Sequence, residues 1–201
     1  MKDKNDETIE TYQKNFVTYV ERTRKELADD FKHGVDLFLG KLPLGGNIFE
    51  IGSASGRDAR YIKRMGFNVL CTDVIPEALE RLTKEGFETS YYDFRETPSE
   101  DWKGQFDGVF ANAVLLHAPD DVFHQALLHI LSILKDKGYC SFSVQAGTGD
   151  EISMGKMDAP RFFKYYSPEE LERILARYPL EIVNISTIGN DKWIQVIFRK
   201  L

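Results

Sequence analysis

Ile48-Phe-Glu-Ile-Gly-Ser-Ala-Ser-Gly-Arg-Asp58 is followed by a second apolar run, Val69-Leu-Cys-Thr-Asp73, that ends in a carboxylate fifteen residues past Asp58. An apolar strand runs into a turn of small residues, an amphipathic stretch follows, and a second strand stops at an acid. This is a β–loop–α–β unit with a nucleotide-sized pocket at the carboxyl end of its strands. The glycines narrow the choice of nucleotide. A dinucleotide fingerprint starting at Gly52 needs glycines at 54 and near 57, where this chain has Ala54 and Arg57. Pyrophosphate requires close backbone approach and the third glycine lets helix and strand pack closely, and neither suits Arg57. The spacing here is Glu50-x-Gly52-x-x-x-Gly56.

The surrounding sequence supports one α/β domain. Its 201 residues, 42% hydrophobic and 29% charged, suffice for a sizeable core. No run approaches the roughly 18 apolar residues of a membrane span, and Met1–Glu7 is polar, without the apolar core of a signal peptide. Cys71 and Cys140 fall in expected interior strands without metal-ligand spacing, and are read as free buried thiols of a cytoplasmic protein. A net charge of −6 weighs against a large nucleic-acid footprint.

Helical periodicity covers residues 8–32, and a second apolar stripe at Val35–Leu39 runs into the turn Leu42-Pro-Leu-Gly-Gly46. From there strands are expected at 48–52, 67–73, 87–92, 106–111 and 139–145, with helices at about 56–65, 76–85 and 120–135. Pro76 and Gly86 bracket the second of these helices. Ser167-Pro168-Glu169-Glu170 is a capping box opening a helix to about 177. Two β-rich runs, Glu181–Thr187 and Trp193–Arg199, are joined by Gly189-Asn190-Asp191, which is hairpin chemistry. The glycine-rich stretch 146–155 reads as a long mobile lid loop.

Glu50-x-Gly-x-x-x-Gly56, the acid Asp73 at the end of the second strand and the terminal hairpin together resemble the class I S-adenosylmethionine-dependent methyltransferases over residues 48–199. The resemblance implies a doubly wound, mostly parallel seven-stranded sheet of Rossmann-like type that ends in an antiparallel hairpin strand. It also implies residues 1–46 as a helical cap of the same domain as 47–201, and S-adenosylmethionine as cofactor with S-adenosylhomocysteine as product. Residue by residue, it implies Gly52, Ser53 and Gly56 against the methionine part, and Glu50 ordering the loop and offsetting the ammonium or sulfonium. Asp73 would accept from both ribose hydroxyls, with Val74 on the adenine face. Tyr92-Asp93-Phe94 resembles the adenine-recognition segment, and Ala111, Asn112 and Leu116 the wall beneath the sulfonium. Asp58, in the first helical turn, lies near the same loop, where the helix dipole alone also accounts for an acid. Many family members carry glycine where this chain has Ala54.

On the acceptor side, His117 follows the fourth strand at the pocket end and is the candidate general base, its alternative being packing beside helix 120–135. His117, His124 and His129 do not share a face, so no metal site is expected. Ala159-Pro-Arg161-Phe-Phe-Lys-Tyr165-Tyr166 combines cations with aromatic rings. Arg161 suits a carboxylate or phosphate and Tyr165 an apolar wall. Tyr12 and Tyr19, seven residues apart, share a helical face that would bring their hydroxyls over the cofactor. The leading reading is methyl transfer to a small-molecule acceptor, with no membrane partner. RNA methylation of the tRNA wobble type and a non-catalytic protein that binds S-adenosylmethionine or S-adenosylhomocysteine are the alternatives.

Overall fold

The computed structural model describes residues 4–201; the first three residues of the expected cap lie outside the described residues. The single periodic stretch expected over 8–32 is divided into α1 (Lys4–Lys14) and α2 (Phe16–Arg22), followed by α3 (Asp29–Leu39). The break falls at Asn15, whose backbone leaves helical geometry (φ −118°, ψ 18°) while its Nδ2 donates to the Thr11 carbonyl at 2.8 Å. An amide side chain that bonds to its own helix competes with the helical ladder, which is why Asn punctuates an otherwise amphipathic run.

The alternating portion follows the expected elements to within a few residues, beginning β1 (Asn47–Ile51), α4 (Arg57–Arg64), β2 (Asn68–Asp73), α5 (Pro76–Lys84), β3 (Glu88–Tyr91). It continues β4 (Phe106–Asn112), α6 (Asp120–Ile133), β5 (Leu134–Ala146). β5 starts five residues earlier than expected because Leu134 already pairs with Phe106, ahead of a register shift. Beyond it come β6 (Asp150–Ser153), β7 (Arg161–Tyr166), α7 (Pro168–Leu175), β8 (Leu180–Ile188) and β9 (Trp193–Lys200). Ser167 caps α7 by accepting the Glu170 N–H at 3.2 Å, with Pro168 at the first helical position. The β8–β9 turn holds Gly189, Asn190 and Asp191 all at positive φ, as its sequence anticipates.

β3-β2-β1-β4-β5 are parallel neighbours, and β9 then pairs antiparallel with both β5 and β8. This is the expected seven-stranded arrangement, but among the described residues the sheet has nine strands. The added pair is β6–β7: residues 150–153 form an antiparallel hairpin with 161–164, and β7 joins β5 in parallel at Gln145 and Ala146. The stretch 146–155, read as a loop, thus supplies a strand. Its residues are mostly exposed on both faces, so no two-residue alternation marked it.

The two faces of the sheet carry separate apolar layers. Phe49, Val109, Phe142 and Phe198 pack under α6 and α7, while Ile48, Phe110 and Cys71 pack under α3 and α4. Cys71 and Cys140 are both free and buried. Among the described residues no helix is long and apolar enough to cross a membrane. Phe142 lies at 1% exposure, its ring against Phe123 and Phe198 at 5.9 and 6.4 Å. Phe142→Ala is expected to cost about 3–5 kcal/mol through lost burial and the cavity left behind. A urea melt that shows less than about 1 kcal/mol would mean this face repacks freely.

Candidate functional site

The turn after β1 is held in a conformation that few residues adopt. Gly52, Ala54 and Gly56 have φ of +73°, +46° and +74°. A Cβ on Gly52 would lie 2.9 Å from Val114 Cγ2, and one on Gly56 would lie 2.4 Å from Leu82 Cδ2. Glycine is therefore required at both for space as well as for φ. Ala54 accepts the left-handed geometry because its N–H donates to Asp73 Oδ2 at 2.7 Å. Asp73 Oδ1 accepts the Ile75 N–H at 2.9 Å, and the Gly52 and Ser53 amides both donate to the Thr72 carbonyl at 2.9 Å. The end of β2 thus fixes the loop that follows β1.

Three carboxylates converge on this loop. Glu50 is 3% exposed, and its Oε2 has no hydrogen-bond partner, nor does the hydroxyl of Ser53. Burial, reinforced by the charge on Asp58, pushes Glu50 up to about 8. Burial likewise lifts Asp73 to about 6, against the pull of the amide bonds it accepts from Ala54, Ile75 and Val74. Asp58 is paired with Arg57 at 2.6 Å and accepts the Asn112 amide at 2.7 Å. Asn112 Oδ1 in turn accepts from Ser143 at 2.5 Å. Asp93 is clasped by Arg95, whose Nη2 lies 2.6 Å from Oδ2, while Arg95 Nη1 reaches Asp6 at 2.8 Å.

Asp73, Val74, Asp93, Phe94 and Asn112 line an apolar cavity of 100 Å³ beneath α1. It shares Gly52, Ala54, Asn112 and Tyr19 with a groove of 470 Å³ that also reaches Ser53 and Asp58. Helix α1 covers the cavity with Asn5, Thr8, Ile9 and Tyr12, and it is anchored by polar bonds. Asn5 Nδ2 donates to the His117 carbonyl at 2.7 Å, Thr11 Oγ1 to that of Pro160 at 2.7 Å, and Phe162 N–H to Thr8 Oγ1 at 2.9 Å.

A second cavity, of 340 Å³, adjoins the first across Tyr12, Tyr19, Ala113 and His117. Leu116, Arg161, Phe163, Tyr165 and Trp193 complete much of its wall. The polar chain at this boundary has a determined direction. His117 Nδ1 faces the Phe162 carbonyl at 2.6 Å, an acceptor only, so Nδ1 carries the proton. His117 Nε2 is then the acceptor of the Tyr12 hydroxyl at 3.0 Å, and Tyr12 Oη accepts from Arg161 Nη1 at 3.1 Å. Burial, helped by the Arg161 charge, drives His117 down to about 4, so the imidazole is neutral at ordinary pH. Tyr12 is shifted up by burial.

Most residues singled out from the sequence meet here; Glu50 and Gly56 belong to the loop but line none of the three cavities described, and Ala111 and Leu116 also differ from expectation. Ala111 lies in the core beneath the sheet and lines none of the three cavities described, because β4 alternates and Asn112 takes the open side. Leu116 lines the second cavity rather than the first. Tyr165 also lines it, with its hydroxyl donating to Glu151 at 2.7 Å. Sequence reasoning missed Asn5, Thr8 and Phe16, although together with Ile9, Tyr12 and Tyr19 they recur at helical spacing along one face. It also missed Gln145 and Trp193, which the pairing of β9 with β5 brings together. Among the described residues no group of three or more His, Cys, Asp or Glu is placed to hold a metal ion.

Above about pH 4.5 a raised carboxyl disfavours the folded state increasingly, until pH passes its folded value. Glu50 therefore withdraws stability between about pH 4.5 and 8, whereas the Asp73 contribution is complete near 6. Glu50→Gln is expected to flatten the loss of unfolding free energy between pH 6.5 and 8, measured by urea denaturation without ligand. An unchanged slope would assign it to another group.

The fold recurs widely. A sequence family described as a methyltransferase domain matches residues 19–185. No curated protein matches the chain in sequence. Among solved structures, the chain is similar to the Burkholderia thailandensis 1,6-didemethyltoxoflavin-N1-methyltransferase, which was solved with 1,6-didemethyltoxoflavin and S-adenosylhomocysteine. That match has a TM-score of 0.74 at 17% identity, over 98% of this chain and 86% of that one. A Methanosarcina mazei S-adenosylmethionine-dependent methyltransferase matches with a TM-score of 0.69 at 17% identity, over 82% of this chain and 97% of that one. A Rhodobacter sphaeroides protein provisionally described as a zinc-dependent alcohol dehydrogenase matches with a TM-score of 0.77 at 13% identity, over 100% and 99%. At these identities the structural likeness speaks for the fold alone; the family match over residues 19–185 goes further, and the chain belongs to the methyltransferase-domain family.

Proposed function

On the premise that the chain is a class I S-adenosylmethionine-dependent methyltransferase, we propose that it methylates a small molecule held in the 340 Å³ cavity behind Tyr12 and His117. The observation that carries this reading is the pairing of two adjoining sites of opposite character. One is the acid-rich loop site at the carboxyl ends of β1 and β2. The other is an aromatic cavity behind the β6–β7 hairpin. A concave pocket with aromatic walls fits a small acceptor better than a polymer strand.

The residues on the loop side suit the cofactor. Glu50 Oε2 and Ser53 Oγ are buried polar atoms without partners, and such atoms are normally satisfied; the ammonium of the amino-acid part would satisfy a carboxylate there. Asp73, already oriented by two amides, retains lone pairs for the ribose hydroxyls. Val74 and Phe94 would flank the adenine. Asp93, held by Arg95, keeps an acceptor for its exocyclic amine. Bound S-adenosylmethionine supplies a methyl group already activated by its sulfonium.

The protein's own task is then orientation and electrostatic complementarity. His117 reaches the cavity through Tyr12, since its Nε2 is taken by the Tyr12 hydroxyl. It acts in this reading as a positioning residue that holds Tyr12 Oη toward the acceptor, and its low basicity suits an acceptor that needs no strong base. The helical cap would act as the lid over both sites, with α1 as its closing element.

Two variants test the assignment by calorimetric titration with S-adenosylhomocysteine. Asp73→Ala is expected to weaken affinity by roughly 1–3 kcal/mol through loss of charged hydrogen bonds; undiminished affinity refutes the ribose role. His117→Ala is expected to leave that affinity within a factor of about three (below 1 kcal/mol) while lowering methyl transfer, and loss of nucleotide binding instead would move His117 to the cofactor side.

A further inference from the structure

Arg161 stands apart from the other arginines and lysines of this protein. It is 6% exposed, yet its polar contacts reduce to one bond from Nη1 to the Tyr12 hydroxyl, and its Nε has no partner. Among the described residues no carboxylate pairs with it. The acids nearest along the chain are engaged elsewhere: Glu151 accepts from Tyr165 and Asp158 pairs with Arg22. The guanidinium lies 4.8 Å from the Phe163 ring centroid and 5.6 Å from that of Tyr12. Position 155 is glycine, where a Cβ would fall 2.0 Å from Arg161 Nη2. The chain therefore makes room for this side chain and holds it in place without a counter-ion among the described residues.

Burying an unpaired charge costs several kcal/mol in general, so such groups are normally paired, neutralised or completed by a ligand. A guanidinium does not neutralise itself by losing its proton. The remaining resolution is a ligand that brings the anion. Among the described residues Arg161 is the only lysine or arginine lining the 340 Å³ cavity, and the neutral His117 adds no charge there. One fixed positive charge matches one negative charge, and a planar fork matches a carboxylate. The ring walls of Phe163, Tyr165 and Trp193 call for a flat apolar body attached to it.

We propose that Arg161 is the specificity residue for an acceptor bearing a single carboxylate on a planar, largely apolar frame, the carboxylate docking on the guanidinium between Phe163 and Tyr12. This rests on the reading of that cavity as the acceptor site. The anion completes the buried charge, and Tyr12, bonded to the same guanidinium, sits beside the docked group. An acceptor of like shape without the charge would leave Arg161 unpaired and is discriminated against for that reason.

The test uses the full-length protein saturated with S-adenosylhomocysteine, so that a failure to bind this nucleotide is recorded separately and counts against the methyltransferase reading alone. Binding of benzoate, benzamide and inorganic phosphate is followed by calorimetry and by Trp193 fluorescence, with Arg161→Met as the comparison. Benzoate is expected to bind roughly ten- to a hundredfold more tightly than benzamide, the range of a charge-assisted bidentate pair, and this preference is expected to vanish in Arg161→Met. In the absence of anions Arg161→Met is expected to melt at a higher temperature than the wild type, because an unpaired buried charge is removed; a purely structural arginine would give a lower one. Equal binding of benzoate and benzamide by the wild type overturns the proposal, as does a preference that survives in Arg161→Met, a lower melting temperature in the variant, or tighter binding of phosphate than of benzoate. Should Arg161→Met fail to fold, the wild-type comparison and Arg161→Lys, expected to keep only part of the preference, decide the matter.

Discussion

The site depends on one carboxylate. Asp73 ends β2 with both oxygens already committed to backbone amides, one from Ala54 across the sheet and one from Ile75 at the start of the next helix. These bonds hold the turn after β1 in its left-handed course, set the entry of α5, and leave the acid facing the cavity. A carboxylate that accepts amide protons while buried sits between two opposing effects. Burial lifts it and the amides lower it, with a net position near 6. The same group that shapes the loop thereby stays ionised at neutral pH.

Charge is arranged on the two sides of Tyr12 in opposite senses. Toward the glycine turn, Glu50, Asp58 and Asp73 form an acidic enclosure in which burial holds Glu50 above the usual carboxylate range. Behind Tyr12, Arg161 is the one lysine or arginine among the described residues that lines the cavity. Tyr12 and His117 form the partition, and both are electrically neutral. In the proposed reading a cationic group of the cofactor and an anionic group of the acceptor each arrive where the protein has left a charge exposed to the cavity. Each arriving group then meets a protein charge of opposite sign.

Much of this was legible in residues with strong local rules. Gly52 and Gly56 occupy a turn that only glycine fits, Ser167 and Pro168 begin a helix by direct capping chemistry, and Gly189-Asn190-Asp191 turns a hairpin through three positive φ values. Ala54 was correctly marked as the unusual member of its loop, and the bond to Asp73 that compensates for it is a long-range one that spacing does not reveal. The hairpin β6–β7 was hidden for a related reason. Residues 150–153 are exposed on both faces, so their strand is made by backbone pairing alone and leaves no apolar period. Ala111 presents the opposite case. A small residue beside an opening looks like a wall, whereas strand parity turned it into the core. The lack of a carboxylate beside Arg161 among the described residues depends on long-range pairing, Glu151 being taken by Tyr165 and Asp158 by Arg22, which spacing does not reveal.

The β6–β7 hairpin meets the main sheet through two residue pairs, Gln145 with Tyr165 and Ala146 with Tyr166, whereas α1 is joined to the same hairpin by Thr8, Thr11 and the Lys4–Asp150 ion pair at 3.6 Å. Helix and hairpin thus form one bonded unit contributed by segments about 140 residues apart in sequence, which Phe163 and Tyr166 of β7 anchor in the core under α6. Such a unit is the natural seam for recombination. An exchange of acceptor preference between relatives would have to carry residues 4–14 together with 150–166, because either piece transplanted alone would arrive with its bonding partners left behind.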